Sequence, residues 1–202
     1  HREVIYGERK KILGGADLKS NILSMIQQEL RGLANTHLSQ SYEEGWDLEA
    51  LTADVNAIFP LPPGLNVAAL SNMSRDEIEK KLLQQAEALY QDKEGELEAE
   101  NMRVLERLVM LRVIDSLWIE HLTAMEDMRQ GIGLRAVGHS DPLIVYKTEG
   151  HAMFQSLLDN IQRDVVHTIY HVGLVKQEAQ RPMPAQVTAS GGGGKQRQPV
   201  RA

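Results

Sequence analysis

The longest helical pattern in this chain begins at Ser74 and meets no proline until Pro142. Ser74 and Glu77 have the spacing of a capping box, in which each side chain bonds the backbone N–H of the other residue at a helix start. Gly95 is the only glycine between this start and Gly131. The pattern therefore predicts either one very long helix or two helices joined near Gly95.

Two apolar stripes with helical spacing lie on either side of a glycine-rich segment, residues 131–140. The first consists of Val104, Leu108, Leu111, Ile114, Trp118, Leu122, Met125 and Ile132, and the second of Phe154, Leu157, Leu158, Ile161, Val165, Ile169 and Val172. We expect the first helix to break at Gly131 and the second to start with Asp141 as N-cap and Pro142 at its first position. Stripes joined by a short bend predict an antiparallel helical hairpin, about 50 Å long, whose tip projects.

The residues before Ser74 predict three shorter helices. The first ends at Gly14-Gly15, and the second begins after Asp17 as N-cap. The third, residues 46–59, is ended by the prolines that follow Phe59. The second helix has a stripe of its own, formed by Leu18, Ile22, Met25, Ile26, Leu30, Leu33 and Leu38. Only 4% of the 202 residues are aromatic, so the core must be aliphatic, and an all-α fold is expected.

Charge and composition exclude several classes of function. The net charge is −6 with no cysteine, which argues against nucleic-acid binding and excludes disulfides and thiolate metal sites. The longest apolar stretch, Leu108–Ile119, is interrupted by Arg112 and Asp115 and is too short to span a membrane. Residues 179–202 are rich in Pro, Gln, Gly and Ser and are expected to be a disordered tail.

Few residues suggest catalysis or metal binding. His167 and His171 are four residues apart, on one helix face, and could hold a metal with a third ligand from the other arm. The alternative is a solvated pair near a helix end, and we favour it because no His-Glu-x-x-His motif is present. Gly194-Lys195 lacks the first glycine, the Ser or Thr and the strand of a phosphate-binding loop.

The strongest signal is a set of short motifs. They are Met110-Leu111, Asp115-Ser116-Leu117-Trp118, Glu120-His121-Leu122, Arg129-Gln130-Gly131-Ile132, Leu134-Arg135, Asp141-Pro142 and Tyr146-Lys147. Together they resemble the C-terminal region of SecA, the family of bacterial preprotein translocase motors. The resemblance covers most of the chain, with only the tail unmatched.

The resemblance implies a division into four parts. Residues 1–15 would be the end of the long scaffold helix, 16–98 the helical wing domain, 99–178 the two-helix finger, and 179–202 the tail. In this family the finger enters the SecY channel and its tip contacts the unfolded preprotein. The matching tip residues here are Leu134, Arg135, Ala136, Val137, Gly138 and His139.

The resemblance also implies contacts with the motor domains of the same protein, whose ATPase this packing restrains. The residues implied for that packing are Asp115, Trp118, Glu120, His121 and Arg129. Because the chain lacks the nucleotide-binding domains, ATP and Mg belong to the longer parent, and no cofactor or ATPase activity is expected here. The expected location is cytoplasmic, peripheral at the inner face of the plasma membrane, with anionic lipid contacted only peripherally.

Two departures from the family and two alternatives remain open. Val137 stands where the family commonly has a bulky aromatic, and the cysteine-rich zinc-binding tail of many members is absent. Stripes and a bend alone would also fit a stand-alone helical hairpin or coiled-coil adaptor. A histidine-ligated metalloenzyme is the weakest candidate.

Overall fold

The structure, a computed structural model, describes residues 1–38, 45–135 and 141–173, without the side chains of 133–135. These ranges contain seven α-helices, a short 3₁₀ turn at Pro63–Leu65 and no strand, which confirms the all-α prediction. The helices are α1 Arg2–Leu13, α2 Leu18–His37, α3 Leu48–Ile58, α4 Val67–Leu70, α5 Arg75–Leu97, α6 Ala99–Arg135 and α7 Pro142–His171. The expected tail, residues 179–202, lies outside the described residues.

The helix starts follow from local capping. The Asp17 side chain accepts the Ser20 N–H at 3.2 Å, and Asp141 accepts the Leu143 N–H at 2.9 Å. Ser74 and Glu77 make both bonds of the capping box. The predicted starts of α2, α5 and α7 are therefore confirmed, and each satisfies backbone donors that have no partner within the helix.

The helices α6 and α7 form an antiparallel hairpin. Ile114 and Ile161 line the same groove, and the rings of His121 and Phe154 have centroids 6.0 Å apart. Farther out, a methyl group at Gly150 would lie 3.3 Å from Cε of Met125. The arms have 37 and 30 residues, lengths of about 55 and 45 Å at the usual helical rise.

The other helices pack at one end of this hairpin. Helices α2, α3 and α5 contact its base, and α1 lies along α6. The buried residues form one continuous cluster from α1 to α7. By contrast, residues 122–132 and 141–149, here called the outer segment, contain no buried residue. The outer segment therefore extends beyond the core. Separately, none of the helices in the described ranges is long and apolar enough to span a bilayer.

The predicted break at Gly131 is wrong. Helix α6 runs through Gly131 and Gly133 and ends at Arg135. Glycine inside a helix costs about 1 kcal/mol relative to alanine, a penalty that a helix of this length absorbs when its backbone bonds continue on both sides.

The apolar stripe predicted for α6 is wrong in part. Ile114 and Trp118 are buried, but Val104, Leu108 and Leu122 are 44%, 54% and 37% exposed. The buried face is formed instead by Met102, Leu105, Val109, Met110, Val113, Ile114 and Trp118. Because α6 packs against α1, α2, α5 and α7, apolar residues occur around most of its circumference, and spacing alone does not select one face. The stripe predicted for α7 is confirmed, since its members are buried or partly buried.

The joint between α5 and α6 is a single residue. Gly95 lies inside α5, and the chain turns at Glu98, which has φ 69° and ψ 148°. The two-helix alternative is therefore correct, with the joint three residues later than expected. This combination of φ and ψ is essentially restricted to glycine, so a glutamate here holds about 1–3 kcal/mol of backbone strain.

Replacing Glu98 by glycine should stabilise the chain. Relief of the strain exceeds the entropic penalty of about 0.5–1 kcal/mol that glycine adds, so the free energy of unfolding should rise by about 1 kcal/mol. Urea denaturation of Glu98→Gly and of Glu98→Gln measures this, because Glu98→Gln removes the charge and keeps the strain. A glycine variant no more stable than the glutamine variant would contradict the assignment of strain.

Candidate functional site

Asp115, one of the residues predicted to pack on motor domains, is paired within the chain. Nε of Arg9 lies 2.6 Å from Asp115 Oδ1, and Nη2 of Arg9 donates to Asp115 Oδ2 at 3.0 Å. Both side chains are partly exposed. This ion pair joins α1 to the middle of α6, along which α1 runs antiparallel.

Trp118 and His121 face inward, into a cluster of rings between α1, α6 and α7. The Tyr6 ring meets Trp118 edge-on at 6.3 Å, and the Trp118 and His121 rings are stacked at 5.5 Å. Trp118 and His121 are each only 6% exposed. Burial lowers the pKa of His121, so the neutral ring is favoured here.

Glu120 and Arg129 face solvent. Glu120 is exposed, and Arg129 donates to Glu126 through Nε at 2.8 Å and Nη2 at 2.6 Å. Those bonds, with another from Gln130, lower the pKa of Glu126 to about 2. Arg129 is eight residues beyond His121, about 12 Å farther along the helix. The five predicted residues therefore do not converge on one site.

The predicted tip is described only at its start. Leu134 and Arg135 lie in the last turn of α6, and Ala136, Val137, Gly138 and His139 lie outside the described residues. The tip contacts stay a prediction. Next to the tip, in the first turn of α7, Leu143 and Ile144 are 56% and 63% exposed.

An exposed apolar surface runs along α6 and is here called the outward face. Three of its members, Val104, Leu108 and Leu122, belong to the apolar stripe predicted for α6. Its members are Val104, Leu108, Ile119 and Leu122 of α6, which are 37–65% exposed. The four α6 residues lie within an arc of about 60° at 100° per residue. Their spacing was the available signal, but it indicated an apolar face without indicating which side meets solvent.

A buried polar pair, missed in the sequence, joins α5 to α6. The Tyr90 hydroxyl donates to Oε1 of Glu106, and both residues are 1% exposed or less. Arg103 approaches the same oxygen at 3.0 Å. Burial raises the pKa of Glu106, while Tyr90 and Arg103 oppose that rise. Burial, with the carboxylate beside it, also raises the pKa of the Tyr90 hydroxyl.

The stability of the chain should depend on pH through Glu106. Because its folded pKa is raised above the ordinary 4.5, the folded state holds a proton that the unfolded state has lost. The stabilising contribution of Glu106 is therefore complete below pH 4.5 and is lost as the pH rises through the folded pKa. Glu106→Gln does not titrate, so its stability relative to the original chain should rise from pH 4.5 to pH 7.5.

Urea denaturation across this pH range measures the difference. Glu87→Gln, which changes an exposed carboxylate of α5, is the matched control and should show no such slope. A constant difference between Glu106→Gln and the original chain would contradict the raised pKa.

The two histidines considered as metal ligands remain near the end of α7. Nδ1 of His171 lies 2.6 Å from the His167 carbonyl oxygen and donates its proton to it. Within the described ranges, no group of three or more His, Cys, Asp or Glu side chains has the arrangement of a metal site.

Comparison with known proteins gives a consistent result. Residues 1–173 match the family model described as the SecA wing and scaffold domain. The protein translocase subunit SecA of Dehalococcoides mccartyi is 50% identical over 190 residues, 94% of this chain and 20% of that protein. The same-named subunit of Pelotomaculum thermopropionicum is 42% identical over 89% of this chain and 20% of that protein.

The subunit from a Roseiflexus species is 41% identical over 92% of this chain and 19% of its own length. The chain thus spans about a fifth of the length of the curated relatives that it matches. With a family model over residues 1–173 and identities of 41–50% across most of the chain, the chain belongs to the SecA family, as its wing and scaffold region.

Proposed function

We propose that this chain is the wing and scaffold part of a SecA-type motor that drives preproteins through a SecY-type channel. In this assignment residues 1–15 end the scaffold helix, 16–98 form the wing, 99–178 the two-helix finger and 179–202 the tail. The observation that carries the proposal is the antiparallel pairing of α6 and α7, together with an outer segment in which no residue is buried.

The tip is proposed to contact the unfolded preprotein and the channel. Pairing of Met125 with Gly150 and of His121 with Phe154 supports this, because the two arms then have their far ends next to each other, where residues 136–141 connect them. Leu143 and Ile144, in the first turn of α7 next to the tip, are exposed apolar side chains. Exposed apolar side chains at the end of a stiff lever suit contact with an extended, unfolded polypeptide.

The outward face is proposed to pack on the motor domains and so to restrain ATP hydrolysis. Leu108 and Ile119 are 54% and 65% exposed. Contact of large aliphatic side chains with water is unfavourable in free energy, and packing on a partner would remove it. Trp118 and His121 face inward and would support this contact indirectly, by holding α1 against α6. The nucleotide site, with ATP and Mg, would lie in the parent protein, and this chain alone would have no ATPase activity.

The proposed location is the cytoplasmic side of the bacterial plasma membrane, as a peripheral component. The proposed partners are the channel, the unfolded preprotein and the motor domains, with anionic lipid contacted only peripherally and nucleic acid not bound. The stand-alone adaptor finds no support in the family match, because the relatives are about five times longer than this chain. An open reading frame lacking nucleotide-binding motifs upstream of residue 1 would restore it.

Photo-cross-linking tests the tip contact in the full-length parent protein. A photoreactive side chain at Val137 should capture an arrested preprotein and the channel, because the tip would lie in the channel mouth. The same probe at Gln91, an exposed residue of α5, is the control and should capture neither. No capture at Val137, or equal capture at both positions, would refute the tip contact.

ATPase assays on the full-length parent test the outward face. Leu108→Glu and Ile119→Glu place a charge in the proposed apolar contact, and each should raise the basal ATPase rate about fivefold or more, as expected when a regulatory contact is lost. Ala53→Glu adds the same charge at an exposed position of α3 and should leave the rate unchanged. An unchanged rate in both outward-face variants would remove the proposed restraint.

A further inference from the structure

Helix α5 forms hydrogen bonds with both arms of the hairpin, and these bonds lie at the base of the hairpin. Nζ of Lys93 donates to the Ile169 carbonyl at 2.6 Å and to the Val172 carbonyl at the end of α7. The Tyr170 hydroxyl of α7 donates to the Ala86 carbonyl of α5 at 2.8 Å. Helix α5 is the donor in the Lys93 hydrogen bonds and the acceptor in the Tyr170 hydrogen bond.

The second arm is held by the buried pair already described. Tyr90 of α5 donates to Glu106 of α6, and Arg103 of α6 donates to Glu94 of α5 at 2.5 Å. Glu94 in turn accepts from Lys19 of α2 at 2.5 Å. The set Lys93, Tyr90, Tyr170 and Glu106 is here called the base latch.

Each hydrogen bond of the base latch gives a partner to a polar group that would lose it if one arm slid along the other. The last carbonyls of a helix have no partner within the helix, and a lysine cation there also interacts favourably with the helix dipole. Tyr90 and Glu106 are almost fully buried, so a shift that separated them would leave a buried phenol and carboxylate without partners. A slip of one residue moves an arm by about 1.5 Å, enough to break such bonds.

One contact between the arms farther from the base is apolar. Where the arms meet near the tip, Gly150 faces the methyl end of Met125, with Met128 close by. Methionine side chains are flexible and adapt to changes in a neighbouring surface. This contact is apolar and has no directional bond, so it does not select one alignment of the arms.

We propose that the base latch fixes the axial alignment of α6 against α7, so that displacement of the tip moves the hairpin base and the wing helix α5 together. Lys93 is the principal positioning residue, because it holds the end of α7 from outside the hairpin. The Glu94–Lys19 contact continues the connection into α2. The alignment itself is argued from this chain alone, and only its role in translocation rests on the proposed function.

Distance measurements between two spin labels test the alignment in the 202-residue chain. The chain has no cysteine, so labels on Asp127→Cys of α6 and Asp164→Cys of α7 are unambiguous. Both positions are exposed, and the pairing of Met125 with Gly150 separates them mainly along the hairpin axis, by about 24 Å. Sliding of one arm therefore changes their distance directly.

The original chain should give one narrow distance distribution. Lys93→Met combined with Tyr170→Phe should broaden it or shift it by about 1.5 to 5 Å, the range from one residue to one helical turn. Lys80→Met, at an exposed lysine of the same helix, should leave it narrow. Lys93→Arg, which keeps a cation and its donors, should leave the distribution narrow in the otherwise unchanged chain.

A narrow, unshifted distribution in the double variant, with helical content intact by circular dichroism, would overturn the proposal. If the double variant does not fold, Tyr170→Phe alone provides the test, since it keeps the ring that packs on Phe59 and removes only the hydroxyl. That single variant should still broaden the distribution, and an unchanged one would count against the latch.

The consequence for translocation is measured in the full-length parent. Lys93→Met should lower the amount of preprotein translocated per ATP hydrolysed, with basal ATPase unchanged. Normal coupling alongside a broadened label distance would reject the role in translocation and leave the alignment intact. An inactive parent without the mutation would count against the proposed function instead.

Discussion

The whole structure depends on the apolar contact between α6 and α7. From Ile114 beside Ile161 to Met125 beside Gly150, the arms contact each other along the middle of the hairpin. The smaller helices use the inner part of this hairpin as the surface on which they bury their own stripes. Without the pairing, α2, α3 and α5 would have no common core, and the outer segment would have no support.

The parts of the fold that were predictable are those governed by local rules. A helix start is predictable at Asp17, Ser74 and Asp141, because a short polar side chain there accepts a hydrogen bond from a backbone N–H two or three residues ahead. The stripe of α7 was also predictable, because its buried residues fall on one face. These features depend on neighbours in the sequence, which a single chain displays.

The parts that were missed depend on neighbours in space. Val104, Leu108 and Leu122 were placed in the stripe predicted for the hairpin because α6 has apolar residues on several sides. Only the packing of α1 and α7 shows which side is left exposed. Lys93 and Glu106 look like ordinary surface charges in sequence, and their partners are 76 residues away and 16 residues away respectively. The residues predicted from the family resemblance to pack on motor domains divide into inward, paired and exposed residues, and that packing stays a prediction.

The single-residue joint at Glu98 makes this region far more sensitive to chain length than to side-chain identity. One residue added or removed there would rotate α6 by about 100° about its own axis. Glu106 would turn away from Tyr90, and the apolar side of α6 that now faces outward would be presented to a different neighbour. Divergent sequences of this architecture should therefore keep the number of residues between Tyr90 and Glu106 constant.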